Sequence, residues 1–166
     1  MGDSLILPDE DAVTEMYLHT SKRLTSAGYR HYEISNFAKD GKESRHNTRY
    51  WLGKDYIGIG PSAHSFLAGE RFYYDRDFSS FINGAEPVSD GFGGDKEEYI
   101  MLRLRLAKGL NFEEYEKKYK ETISETVIEK MKKYQEAGLL HIDDKGIRLT
   151  PEGFLLSNAI IGEFID

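Results

Sequence analysis

Two short clusters in this chain hold residue types suited to a flat, charged or metal-bearing ligand. The first is Arg45-His46-Asn47-Thr48-Arg49-Tyr50-Trp51. A neutral imidazole ligates iron, so His46 is the candidate metal ligand. Tyr50 and Trp51 offer planar faces for stacking. Arg45 and Arg49 can pair with carboxylates, bidentately where the geometry allows. A tetrapyrrole presents both features, a planar metal-binding ring and propionates. The same residues also suit a loop pinned by buried aromatics, with His46 bonded to backbone. The second cluster is Gly58-Ile59-Gly60-Pro61-Ser62-Ala63-His64. Its glycines let a ligand approach the backbone closely, and free N–H groups after them can hold an anion. The alternative is a tight, closely packed turn. His64 suits a ligand or a base, and equally a capped turn residue. Glu33, beside Tyr32 and Asn36, can accept from a ligand hydroxyl or amine, or pair with an arginine. No Ser/His/Asp or paired-carboxylate spacing supports a hydrolase.

The surrounding elements must position these residues. Pro8-Asp9-Glu10-Asp11 suits the first turn of a helix, where the dipole is positive. Val13, Met16, Tyr17, Leu24 and Ala27 recur at roughly helical spacing, and Gly28 suits the stop. Residues 29–34 read as a short strand and residues 35–54 as a long polar loop. Residues 55–59 read as a second strand. The glycine run then falls at a strand C-terminal end, where α/β folds bind ligands. This is an α/β order, yet one helix and two strands cannot cover both faces of a parallel sheet. The sheet is expected to be completed by another copy or by more of a longer protein. Unpaired edges and apolar faces favour a homodimer of the chain alone. Residues 67–94 read as a connection rich in turn chemistry, with a boundary near Gly94.

From Asp95 the pattern is compact and helical. Tyr99, Leu102 and Leu106 mark one helix, stopped at Gly109. Asn111 caps a second helix with Phe112, Tyr115 and Tyr119. Thr122 and Glu125 form a capping-box pattern before a third, which carries Val127, Ile128, Met131 and Tyr134 and stops at Gly138. Leu140, Ile142, Ile147 and Leu149 alternate around Asp143-Asp144-Lys145-Gly146 as a hairpin. Thr150-Pro151 opens a last helix with Phe154, Leu155, Ile160, Ile161 and Phe164. Three helices, a hairpin and a closing helix make a winged-helix-like domain over residues 95–166.

Such a domain invites a nucleic-acid reading, with the third helix in the major groove. Charge argues against it. The chain carries a net charge of −7, and a nucleic-acid binder needs a basic face. The chain has no cysteine. That excludes disulfides and a thiolate-held iron–sulfur cluster within it. No apolar run approaches the ~20 residues of a membrane span. The first residues lack the basic and apolar regions of a signal peptide, so a cytoplasmic protein is expected.

Three stretches carry a family resemblance: YEISNFA at 32–38, RHNTRYW at 45–51 and YIGIGPSAHSF at 56–66. They resemble the C-terminal part of the HemN/HemW family, radical S-adenosylmethionine proteins related to oxygen-independent coproporphyrinogen III oxidase. Residues 95–166 resemble that family's C-terminal domain, with Gly138-Leu139-Leu140 and Leu149-Thr150-Pro151-Glu152-Gly153 as its most telling pieces. The resemblance implies that residues 1–66 end a partial (β/α) barrel. It also implies a [4Fe–4S] cluster and S-adenosylmethionine in an N-terminal radical domain outside this chain, which has no cysteine for a cluster. His46-Asn47-x-x-Tyr50-Trp51 resembles the HNxxYW motif of the HemW branch, which is associated with haem binding and delivery. It implies that His46, Asn47, Arg49, Tyr50 and Trp51 meet haem or a tetrapyrrole, with His46 on the iron. In family terms Gly58, Gly60, Ser62, Ala63 and His64 would line the S-adenosylmethionine or tetrapyrrole side. The other activity that the resemblance implies is coproporphyrinogen III oxidation in porphyrin biosynthesis.

Overall fold

A computed structural model describes residues 7–165. Helix α1 (Glu10–Ser26) starts where the proline and acids place it, with Asp9 accepting the Ala12 N–H at 2.8 Å. Its chain turns at Gly28, whose φ of +78° suits glycine. Strand β1 (Arg30–Glu33) follows as expected.

The polar stretch after it is not a loop. Strand β2 (Asn36–Ala38) folds straight back antiparallel on β1, and helix α2 (Arg45–Trp51) follows. Ser44 caps α2 by accepting the Asn47 N–H at 3.2 Å. The strand expected at residues 55–59 does not form. Tyr56 makes one isolated bridge to Phe66, and the glycines then turn the chain away. A Cβ on Gly58 would lie 2.3 Å from the His64 carbonyl oxygen, so only glycine lets the two segments come this close.

Residues 67–94, expected as a connection, carry real structure. Strands β3 (His64–Leu67), β4 (Glu70–Tyr73) and β5 (Val88–Phe92) form an antiparallel sheet, with helix α3 (Phe78–Ile82) between β4 and β5. Every strand pair among the described residues is antiparallel, so these residues form no parallel sheet among themselves.

The remainder holds the main core. Helix α4 (Lys96–Leu104) leads to strand β6 (Leu110–Asn111), helix α5 (Phe112–Tyr119) and helix α6 (Glu125–Glu136). Strands β7 (Leu140–Ile142) and β8 (Gly146–Leu149) form the expected hairpin, with Leu140 opposite Leu149 and Ile142 opposite Ile147. β6 joins this sheet beside β8, giving the order β6-β8-β7. The cap of α6 is Ser124, not Thr122: its hydroxyl accepts the Val127 N–H. The last helix is two, α7 (Pro151–Leu155) and α8 (Ser157–Ile165), broken at Leu156. Leu104, Leu110, Met131, Leu140, Ile147 and Ile160 are almost wholly buried together. Each contributes roughly 1.5–3 kcal/mol by leaving water.

The first part of the chain is stitched to this core through β1. The Ile34 N–H donates to the Arg105 carbonyl and the Ala107 N–H to the Tyr32 carbonyl, both at 3.0 Å. So β1 has β2 on one edge and residues 105–107 on the other. His31 completes the joint. Its ring stacks on Phe37 at 4.1 Å and meets Phe154 of α7 edge-on at 5.2 Å. Its Nδ1 lies 3.1 Å from the Ser21 hydroxyl.

This histidine makes stability depend on pH. Burial pushes its pKa below the ordinary 6.5, against opposing pulls from the Ile34 carbonyl and the Glu33 carboxylate. The unfolded chain therefore binds a proton that the folded chain resists. Stability is full above 6.5 and falls as the pH drops through 6.5 toward the lower folded pKa. Urea midpoints at pH 7.5 and 5.5 should differ in that direction, and the difference should shrink in His31→Asn. An equal difference in the variant would assign it to other groups.

Candidate functional site

Helix α2 is short and mostly polar, so its placement depends on anchors at its two ends. Ser44 holds the start, and the Ser44 N–H in turn donates to the Tyr32 hydroxyl at 3.3 Å. At the far end Arg103 of α4 donates to the carbonyls of Trp51 and Leu52, at 2.5 and 3.4 Å. Trp51 is half-buried, with the Arg105 guanidinium 5.7 Å from its ring centre. The tryptophan is thus a joint between α2 and α4.

His46 and Tyr50 lie four residues apart on one face, the spacing that brings helix side chains together. The Tyr50 hydroxyl is 2.8 Å from His46 Nε2, and the rings meet edge-on at 4.9 Å. His46 is exposed, and its Nδ1 has no hydrogen-bond partner among the described residues. Tyr56 continues the aromatic row: its ring sits 4.5 Å from Tyr50 and 6.5 Å from Phe66. The result is an accessible imidazole beside a short aromatic wall.

Arg49 is not free beside it. It donates to the Asp55 carbonyl at 2.7 Å and pins the chain after the helix. Asn47 uses its N–H on the Ser44 cap. Arg45 makes no ion pair among the described residues and remains exposed.

The glycine turn is closed on itself. The Gly58 N–H donates to the buried Ser65 hydroxyl at 3.0 Å. The Ser62 N–H donates to the Tyr74 carbonyl at 2.9 Å and the Ala63 N–H to the Gly60 carbonyl at 3.1 Å. The N–H groups of Gly58, Ser62 and Ala63, three of those expected to cradle an anion, are thus spent on the fold. The turn precedes β3 rather than ending a strand. His64 stacks on Tyr73 at 5.1 Å with Nδ1 3.8 Å from Asp90, away from His46's helix. Glu33 is buried, and accepts the Ser35 N–H at 3.3 Å rather than pairing with an arginine. Burial, and after it the Glu33 carboxylate, push the Tyr17 hydroxyl up to about 12. Tyr17 stays a neutral donor to the Ile34 carbonyl at 2.7 Å.

The third helix of the core is not a free basic face. Lys132 pairs with Glu129, and Lys133 with Glu163 at 2.7 Å. Among the described residues no group of three or more His, Asp or Glu side chains is placed to hold a metal. No helix there is long and apolar enough to cross a membrane.

Residues 96–156 match the HemN C-terminal domain. The heme chaperone HemW of Bacillus subtilis (strain 168) is 32% identical over 169 residues, covering 97% of this chain and 45% of that protein. The heme chaperone HemW of Lactococcus lactis subsp. lactis (strain IL1403) is 33% identical over 167 residues, with 97% and 44% covered. A solved structure of Escherichia coli coproporphyrinogen III oxidase (HemN), described as a radical SAM enzyme, matches with a TM-score of 0.66. That match covers 95% of this chain and 42% of the oxidase at 19% identity, a likeness of fold. The chain spans less than half the length of these relatives. With its mixed α/β fold and its matching final domain, the chain belongs to the HemN/HemW family and corresponds to that family's C-terminal portion.

Proposed function

We propose that this chain is the C-terminal part of a haem-carrying protein of the HemW kind, and that helix α2 receives the haem. One observation carries the reading: His46 is exposed, at the edge of an aromatic wall, and its Nε2, the nitrogen offered to iron, is held by Tyr50 alone. That donor suits ferric haem as cargo. The names of the relatives at 32–33% identity favour haem handling over coproporphyrinogen oxidation. A [4Fe–4S] cluster does not fit the residues of this chain, which has no cysteine. Cluster and S-adenosylmethionine belong, in this reading, to the portion of the protein that the relatives have and this chain lacks.

On the same reading α1, β1 and β2 complete that missing domain. Residues 95–166 form a winged-helix-like module, supported by three helices and the β6-β8-β7 order. It serves as a structural partner and not as a DNA reader. Ile57, Ile59, Phe78, Ile82 and Phe92 are exposed, and Ile59 is 89% so. Apolar side chains left to water in this number suit an interface with the missing portion or a second copy. The chain alone should therefore self-associate in light scattering, and the full-length protein should not. A monomeric chain at high concentration would contradict this.

The test is a haemin titration of the full-length protein. His46→Ala should weaken binding by roughly tenfold or more. Tyr50→Phe should move the other way. Its hydroxyl competes with iron for Nε2, and losing a hydrogen bond of about 1 kcal/mol should tighten binding about fivefold. Equal affinities in all three proteins would remove His46 from the iron.

A further inference from the structure

A second site lies on the other side of the α2–α4 joint. A cavity of about 380 Å³ opens between Leu52 at the end of α2, the α4–β6 turn and the β7–β8 hairpin. Four cations line it, Arg103, Lys108, Lys145 and Arg148, against two acids, Glu114 and Asp143. This reverses the balance of a chain whose net charge is −7.

The pairing within the cavity sharpens the imbalance. Asp143 is committed: it pairs with Arg148 at 2.7 Å and accepts the N–H groups of Lys145 and Gly146 at 3.0 and 3.1 Å. Lys108 and Lys145 make no ion pair among the described residues. Arg103 spends its two terminal nitrogens on the Trp51 and Leu52 carbonyls, while its Nε is buried with no hydrogen-bond partner. Arg103, Lys108 and Lys145 therefore line the cavity, and Glu114 is the one lining acid not already paired. Lys108 and Lys145 are exposed, so their ammonium groups stay hydrated and free to meet an anion that enters the cavity, while the Arg103 guanidinium, 4.3 Å from the Tyr99 ring centre and held by the two carbonyls, adds a fixed positive charge to the wall. The size falls in the range of small-molecule sites, and Leu110 and Ile147 give it an apolar floor.

We propose that this cavity binds a small dianion of the phosphate or carboxylate class, with Lys108 and Lys145 as its partners and Arg103 as a fixed positive charge in the wall. The site stands apart from His46 and does not rest on the haem reading.

Calorimetric titration of the whole chain with inorganic pyrophosphate, and separately with succinate, tests it at one ionic strength set with chloride. At least one probe should saturate at one per chain. Lys108→Ala/Lys145→Ala should weaken that binding tenfold or more. Both side chains are exposed, so the fold should persist, and an unchanged circular dichroism spectrum checks this. Lys130→Ala/Lys132→Ala on α6 should leave binding unchanged. Saturation by pyrophosphate alone assigns a phosphoryl ligand, by succinate alone a dicarboxylate, and by both a site that reads charge. No saturation by either probe overturns the proposal, as does equal weakening in the two double variants.

Discussion

Gly153→Ala should be among the most damaging single-atom additions in this chain. Gly153 lies in α7, and a Cβ there would sit 1.8 Å from the Leu139 carbonyl oxygen and 2.9 Å from its carbon. That carbonyl cannot retreat freely. It accepts the Thr150 N–H at 3.0 Å, while the Thr150 hydroxyl donates to the Gly138 carbonyl and accepts the Gly153 N–H, each at 3.0 Å. Relief of the clash means parting α7 from the start of β7. Overpacking against fixed backbone should cost about 3 kcal/mol. For a chain of this size that lowers Tm by roughly 6–12 °C. Gly162→Ala in α8 is the control, because a Cβ there meets nothing within 4 Å. It should be neutral or stabilising by up to about 1 kcal/mol, through helix propensity. Matching melts for the two variants would contradict the packing described.

Leu104→Ala should cost a similar amount by the opposite route. Leu104 ends α4 with no exposed surface, in the cluster that α4 shares with Leu110, Met131, Leu140, Ile147 and Ile160. Its removal forfeits transfer energy and leaves a cavity that neighbours on five elements cannot all fill. A loss of about 2–5 kcal/mol follows. Leu156→Ala, at the break between α7 and α8 and 49% exposed, should cost well under 1 kcal/mol. Urea unfolding measures both, and a Leu104 variant within about 1 kcal/mol of the parent would refute the placement of the core.

The helical half of the fold was legible because its signals are local. Asn111 caps α5 through the Glu114 N–H, Gly138 ends α6 at φ +73°, and the hairpin register follows its alternating residues. The two motifs that carry the family resemblance there turn out to be one contact, Gly138-Leu139-Leu140 packed against Leu149-Thr150 and Gly153. The first half was less legible because its structure is made by partners far away in sequence. β2 is three residues long and gains strand character only beside β1. β3 and β4 are recognisable only as a pair. Tyr56 fails to begin a strand because the chain closes against His64 at Gly58 and turns at Gly60, whose φ is +117°. Helix α2 had a readable cap in Ser44, but its polar composition hid it. For the site, the i, i+4 pair His46 and Tyr50 follows once α2 is known to be helical. The loss of the glycine turn's N–H groups to the fold does not, since it depends on Tyr74 and Ser65 taking them.

Helix α2 thus presents an exposed imidazole that is hydrogen-bonded to Tyr50 alone among the described residues. On the proposed reading His46 is the iron ligand. Its most direct test is ferric haem bound to the full-length protein carrying His46→Ala, examined by absorption spectroscopy with and without added imidazole. The variant should lose the Soret position of the parent, and free imidazole should restore it by entering the vacated coordination position. A variant whose Soret band matches the parent before any imidazole is added would contradict the account.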